Sequence, residues 1–372
     1  MRNLWLVWAF LQVQGAELRT FDRVMLVEAK GETSASVSIG DIDGDGDPDV
    51  ILAKGRHWPL HDVVLRNDGK GKFTAETFSE AADRTYSAAL ADLDGDGDLD
   101  LAVSNDKPDK KLLYRNDGKG KFTLSGTFGD PAWNTRYITL ADLNGDKRAD
   151  ILVANRSSRP EMPRQSYVCL NDGKGGFPEC RPLPTQSATI IVAADLDSDG
   201  WMDLLIPHRD GGQSLVFWND GKGSFSAPTA IGPQQSSIRA AAAGDLDGDG
   251  DRDIVVGDEK TGLFLFRNHG GRRFGEAERL GGKAEAPYSI GLADMNRDNR
   301  LDVVVGNNRA KGSVFFNDGG GAFREIHWGD GEGAVYGLAL GDLDGDGWPD
   351  IAAARSEAAN GIWFSGGLGK ER

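Results

Sequence analysis

The sequence predicts an all-β chain folded as a seven-bladed β-propeller of four-stranded antiparallel blades. Three observations predict it. An acidic nonapeptide recurs seven times, four short apolar segments fill each interval, and a strand missing from the last interval stands ahead of the first.

The nonapeptide reads DIDGDGDPD from Asp41, DLDGDGDLD from Asp92, DLNGDKRAD from Asp142 and DLDSDGWMD from Asp195. It continues as DLDGDGDRD from Asp245, DMNRDNRLD from Asp294 and DLDGDGWPD from Asp342. The starts lie 48 to 53 residues apart. So constant a period marks one supersecondary unit used repeatedly, and we number the units one to seven by these loops.

In unit six the apolar segments are Ser289–Ala293, Val303–Gly306, Val314–Phe316 and a fourth starting at Phe323. They are short, β-branched or small, and bounded by Gly, Asn and Asp, which makes them strands. A glycine-rich turn joins the third to the fourth: NDGKGKF from Asn67 and Asn116, NDGKGGF from Asn171 and NDGKGSF from Asn219. Asn-Asp-Gly supplies the positive-φ positions of a tight hairpin. A β-sandwich does not require seven equal units. Unit seven ends at Ile362–Phe364 without a fourth strand, while Phe21–Glu28 is a strand without a unit. The N-terminal strand is therefore expected to complete the last blade and close the ring, leaving no open edge.

Composition agrees. Fifty-one glycines against 14 prolines, in 372 residues, suit a turn-rich chain and exclude collagen. A formal charge of −16 argues against binding nucleic acid through bulk charge. Arg2, the apolar run Leu4–Leu11 and the small residues Gly15 and Ala16 read as a secretory signal over 1–16, ahead of one domain over 17–372. The run is too short to span a bilayer, and no later stretch is long and apolar enough. A secreted or periplasmic monomer is expected. Cys169 and Cys180 flank one hairpin, and their spacing leaves a disulfide and two reduced thiols both open.

The acidic loops together with the NDGxGxF turns resemble the FG-GAP/VCBS repeat family, related to the calcium-binding blades of integrin α-chain heads. The resemblance covers about residues 18–365 and implies a propeller with bound calcium. It leaves function open, because the family includes adhesins, lectins and lyase-like enzymes.

The loop spacing supports the metal independently. Carboxylates at alternate positions of a tight loop turn inward, and several hard oxygens around one centre suit calcium. The expected ligands at positions 1, 3, 5 and 9 are Asp41, Asp43, Asp45 and Asp49 in unit one, and Asp92, Asp94, Asp96 and Asp100 in unit two. Unit three offers Asp142, Asn144, Asp146 and Asp150, and unit four Asp195, Asp197, Asp199 and Asp203. Unit five has Asp245, Asp247, Asp249 and Asp253, and unit six Asp294, Asn296, Asp298 and Asp302. Unit seven has Asp342, Asp344, Asp346 and Asp350. An EF-hand is excluded, since its bidentate Glu at position 12 is replaced here by residues such as Leu52 and Val103. Lys147 in place of the turn glycine makes unit three the weakest candidate, whereas Asn299 in unit six tolerates positive φ. The loops hold half of the 58 acidic residues, and seven Ca2+ ions would nearly cancel the formal charge. Up to seven ions with a structural role are expected.

Connectivity places the acidic loops and the NDGxGxF turns on one face, so a ligand is expected on the other. Six residues before each loop stand Ala35, Tyr86, Arg136, Thr189, Arg239, Tyr288 and Tyr336. Thirteen after each loop Asp stand Lys54, Asn105, Asn155, His208, Asp258, Asn307 and Arg355. Arg56, His57, Trp58, His61, Trp133, Asn134, Arg156, Arg209 and Arg309 lie nearby in sequence. Arg, His and Tyr gathered at one mouth of an acidic protein suit an anionic or hydroxyl-rich ligand. Such a mouth is expected to bind carbohydrate, preferably anionic, or an extracellular protein surface. The alternative is a lyase acting on uronate-containing glycans, with Arg239 neutralising the carboxylate and His208, His57 or Tyr288 moving protons. The chain has no GxSxG elbow, no phosphate loop and no HExxH pattern.

Overall fold

The computed structural model describes residues 18–367, apart from 80, 158, 160–163, 283 and 284, so the expected signal segment lies outside the described residues. These residues form 28 strands and no helix. Units two to six each make a separate four-stranded antiparallel sheet. In unit six the strands are Pro287–Ala293, Asp302–Asn307, Gly312–Gly319 and Ala322–Trp328, slightly longer than the apolar segments alone predict.

The other eight strands form one continuous sheet made of two such sets. The set of unit one is Glu32–Gly40, Asp49–Lys54, Val63–Asn67 and Phe73–Thr77. The second set joins Ala334–Gly341, Asp350–Ala358 and Gly361–Gly367 of unit seven to Arg19–Leu26. That last pairing is antiparallel, with Arg19 opposite Gly367 and Leu26 opposite Gly361. The two sets meet where Glu32 and Thr33 pair with Ala358 and Ser356.

Burial follows strand position. The second strand of every unit is wholly buried, as in Asp150–Asn155, and its run of Ile, Leu and Val needs apolar cover on both faces. Neighbouring units supply that cover. One core cluster joins Leu205, Val216 and Trp218 of unit four to Ile254, Val256 and Phe266 of unit five. Another joins Val50, Leu52 and Leu65 of unit one to Ala352, Ala354 and Phe364 of unit seven. The first strand of each unit packs on that of the next. Small residues permit this approach: a Cβ on Gly337 would stand 2.7 Å from the Ser36 Cα. Outer strands such as Phe73–Thr77 are largely exposed.

Cys169 and Cys180 lie directly opposite each other on the outer two strands of unit three and form a disulfide. The alternative left open by their spacing is thereby closed.

Candidate functional site

The acidic loops are built identically. In unit one, the Asp41 carboxylate accepts the backbone N–H groups of Gly44 and Gly46 at 2.8 and 3.0 Å, which curls the loop around it. Gly46 has φ 94°, and Lys147 at the same position of unit three adopts φ 64° and still donates its N–H to Asp142. Asp49, at position 9, accepts the N–H of Ile42 and of Asn67. Burial pushes its carboxyl up to about 6. The same double acceptance recurs in all seven units, and burial pushes Asp302 up to about 7.

Positions 1, 3 and 5 converge in units one, two, four and five, and positions 1, 3 and 9 in unit seven, with ligand oxygens within 4.8 Å of one another. Oδ1 of Asp43, Asp94 and Asp197 is buried without a hydrogen-bond partner, so these loops fit a hard cation. Units three and six differ, with Asn at position 3 and an arginine beside the position-5 carboxylate, Arg148 with Asp146 and Arg300 with Asp298.

Two features of this end escape the sequence reading. The hairpin Asn is a staple between units. Asn219 Nδ2 donates to Met202 O of its own loop at 3.0 Å and to Leu143 O of the preceding loop at 2.9 Å. Asn67, Asn116, Asn171, Asn268 and Asn317 do the same, and Asn67 reaches Leu343 of unit seven. Each position-3 Asp also carries an arginine: Arg66 on Asp43, Arg115 on Asp94, Arg272 on Asp197, Arg267 on Asp247 and Arg23 on Asp344. Where position 3 is Asn144 or Asn296, the residue before the hairpin Asn is Leu170 or Phe316 rather than Arg. Where that residue is Trp218 or Phe364, the arginine arrives from another strand or turn and stacks on the ring.

At the other end of the first strands a cavity of about 340 Å³ opens. Its wall includes all seven residues found six places before the loops: Ala35, Tyr86, Arg136, Thr189, Arg239, Tyr288 and Tyr336. Arg56, His57, Arg156 and Arg209 join them from loops after second strands. Tyr137, Ile190, Ala240, Ala241, Ser289, Ile290, Gly337 and Leu338 complete it. These were missed because each directly follows a picked position, and one residue per unit was taken where two or three reach the cavity.

Five arginines and no Asp or Glu line this cavity, in a protein of charge −16. Guanidinium groups and phenol rings alternate around it. Arg136 lies 4.4 Å from the Tyr86 ring centre, Arg56 3.8 Å from Tyr336, and Arg239 3.6 Å from Tyr288 and 5.1 Å from Tyr336. Carboxylates behind the wall hold four of the arginines. Asp106 stands 2.9 Å from Arg136, Asp210 2.5 Å from Arg156, and Glu259 2.9 Å from Arg209 and 3.1 Å from Arg239. Burial works against ionisation of Glu259, but the two arginines outweigh it and keep its carboxyl below the usual range. Burial raises the phenols of Tyr86 and Tyr288, so both stay protonated donors. His57 Nε2 lies 3.0 Å from the Tyr86 hydroxyl. A wall of donors suits an acceptor-rich, negatively charged ligand.

The residues thirteen places after the loops are elsewhere, because they end the second strand, one strand out from the cavity. Lys54 is buried against Glu28 and Glu32, and Asn155 bonds Thr135 and Gln165. Asn307 bonds Glu285 and Lys311, and Arg355 ties Asp330 to the Ala359 carbonyl. His208 does not line the cavity; its ring meets Thr185, which removes it as an acid–base partner there. Arg309 is exposed and pairs with Glu357. Trp133 stacks on Tyr167 at 4.0 Å, and Trp58 is 67% exposed outside the cavity.

The FG-GAP-like repeat model matches residues 41–103, 92–153, 195–256, 245–305 and 294–353, most of the chain. No curated protein matches it in sequence. Among solved structures, the chain is similar to BBS1N, crystallised in complex with ARL6DN and soaked with mercury. That match has TM-score 0.65 and 13% identity, covering 95% of this chain and 98% of that one. It is also similar to an Agrocybe aegerita lectin described as recognising non-reducing terminal N-acetylglucosamine, at TM-score 0.60 and 20% identity, covering 88% and 87%. At such identities the likeness concerns the β-propeller fold alone.

Proposed function

Because the chain belongs to the FG-GAP-like repeat family, we propose that it is a calcium-stabilised, extracytoplasmic binding module whose cavity takes an anionic carbohydrate. Seven blades of four strands, closed through Arg19–Leu26, fit the 28 strands and the packing of unit one on unit seven. They make residues 17–372 one domain. Calcium would be held at positions 1, 3, 5 and 9 of the loops, where it supplies charge neutralisation and rigidity. The chain's own Asp and Asn residues supply the curl and the staples. Units three and six, with one carboxylate fewer, are the weakest sites. The Cys169–Cys180 disulfide suits an oxidising compartment, and no helix of the described residues is long and apolar enough to cross a membrane.

The observation that carries the ligand class is the cavity wall of five arginines with no acid. Neutral phenols add donors and stacking surface, which a sugar ring uses and a bare ion does not. An array of acidic and neutral glycans tests it: acidic glycans should bind at low salt and weaken as salt rises, and preferential binding of neutral glycans would refute it. One contact favours elimination chemistry as a second reading, since His57 and Tyr86 touch beside Arg56 and Arg136. Release of unsaturated uronates, followed by absorbance, separates a lyase from a binder.

A further inference from the structure

Resting on that anionic-glycan reading, we infer that the cavity takes the terminal acidic sugar of a chain, end-on, and that Arg56 reads its carboxylate. The shape argues for an end. Every one of the seven units contributes to the wall, so the cavity is encircled, whereas an internal stretch of polysaccharide needs a groove open at two sides. A volume of about 340 Å³ lies at the small end for ligand sites and holds little more than one ring with its acidic group. The strands that wall it run on to the acidic loops, and that rim of carboxylates opposes an anion threading through. Ile190, Ala240, Ala241, Ile290 and Leu338 give the wall apolar surface for the C–H face of a ring.

Charge assignment singles out Arg56. The other four lining arginines each lie within 3.1 Å of a carboxylate of the chain, and among the described residues Arg56 has none. Its Nη1 donates to Ser356 Oγ at 3.0 Å, its face lies on Tyr336, and its Nε is buried without a partner. Its backbone holds φ 51°, uncommon for a side-chain-bearing residue, and its N–H is fixed to Thr85 O at 3.0 Å. A strained backbone thus presents the one lining cation whose countercharge the chain does not supply. A ligand carboxylate completes it with charge-assisted bonds.

Calorimetric titration of the full chain with oligomers of galacturonate, glucuronate and mannuronate, one to six residues long, tests this. End-on capture predicts that one of these series binds with an affinity level from the dimer onward, and that a neutral sugar capping both chain ends abolishes binding. Arg56→Ala should weaken binding at least about tenfold, with the melting point unchanged and Arg181→Ala, on an outer strand, without effect. If Arg56→Ala does not fold, Arg56→Gln reads the same loss. Affinity that climbs steadily to the hexamer, or survives capping, overturns end recognition while leaving the anionic-glycan reading intact. Full binding by a folded Arg56 variant overturns the role of Arg56. No binding at any length defeats both readings together.

Discussion

The two ends of the repeat obey opposite rules. At the acidic end, every unit spends the same residues on the same bonds: Asp41 and its six counterparts curl the loop, and Asp49 and its counterparts hold the hairpin. At the cavity end, the corresponding position is Ala, Tyr, Arg, Thr, Arg, Tyr and Tyr in turn. Uniformity marks work that each unit must do for itself, namely folding. Divergence marks work done once by all seven together, which is recognition. Their electrostatics diverge too. Burial lifts the position-9 carboxyls, to about 6 in Asp49, Asp203 and Asp350, whereas arginines hold Asp210 and Glu259 below the ordinary range despite burial.

The largest expected difference between the ends is their response to chelation. Removing divalent ions should lower the melting temperature by about 10 °C or more, since several sites lose binding free energy together. Cavity variants such as Arg239→Ala should respond to chelator as the parent does. A chelator-insensitive melt would dissolve the contrast.

Acid should sharpen it. In the metal-free protein, position-9 carboxyls with raised pKa favour folding once protonated. Their contribution is complete below the unfolded value near 4 and is lost as pH rises through about 6. Protons also compete with metal, so the gap in melting temperature between calcium-loaded and chelated protein should narrow from pH 7.5 to 5. The lowered carboxyls of Asp210 and Glu259 stay ionised over that range, so the arginines they hold should keep their geometry. Calorimetry across pH checks both halves.

Asn219→Ala removes two buried hydrogen bonds that join units three and four, and should cost about 1–3 kcal/mol in urea unfolding without changing ligand affinity. The smallest expected effect concerns the arginine on each position-3 carboxylate. Asp94→Asn strands Arg115, whereas adding Arg115→Leu recreates the Asn144 and Leu170 pattern of unit three. The double variant should therefore be more stable than the sum of the single changes predicts, by about 0.5–3 kcal/mol. Additive changes would show that the pairing is incidental.

The repeat, the strands and the loop ligands were legible because each is local: period, alternation and carboxylate spacing all lie within one unit. Counting back six residues found the cavity wall for the same reason, since the first strand has one register relative to its loop. Counting forward thirteen did not transfer, because Lys54 and Arg355 sit one strand further out and are spent on neighbouring carboxylates. The hairpin Asn read as a turn former, since its second partner lies more than 70 residues earlier for Asn116, Asn171 and Asn219. The match between Asn144 and Leu170 lies within one unit, but it becomes visible only once Arg66 and Arg115 are seen resting on Asp43 and Asp94.

The pairing of Arg19–Leu26 with Gly361–Gly367 has a mechanical consequence. Arg19 and Gly367 lie side by side at one end of that ladder. A pull applied through the two chain ends would load the rungs one at a time, like a zipper, instead of shearing them all at once. The clasp therefore yields to modest tension, and Arg19, bonded to Ser365 and stacked on Trp348, is the first tooth to give way.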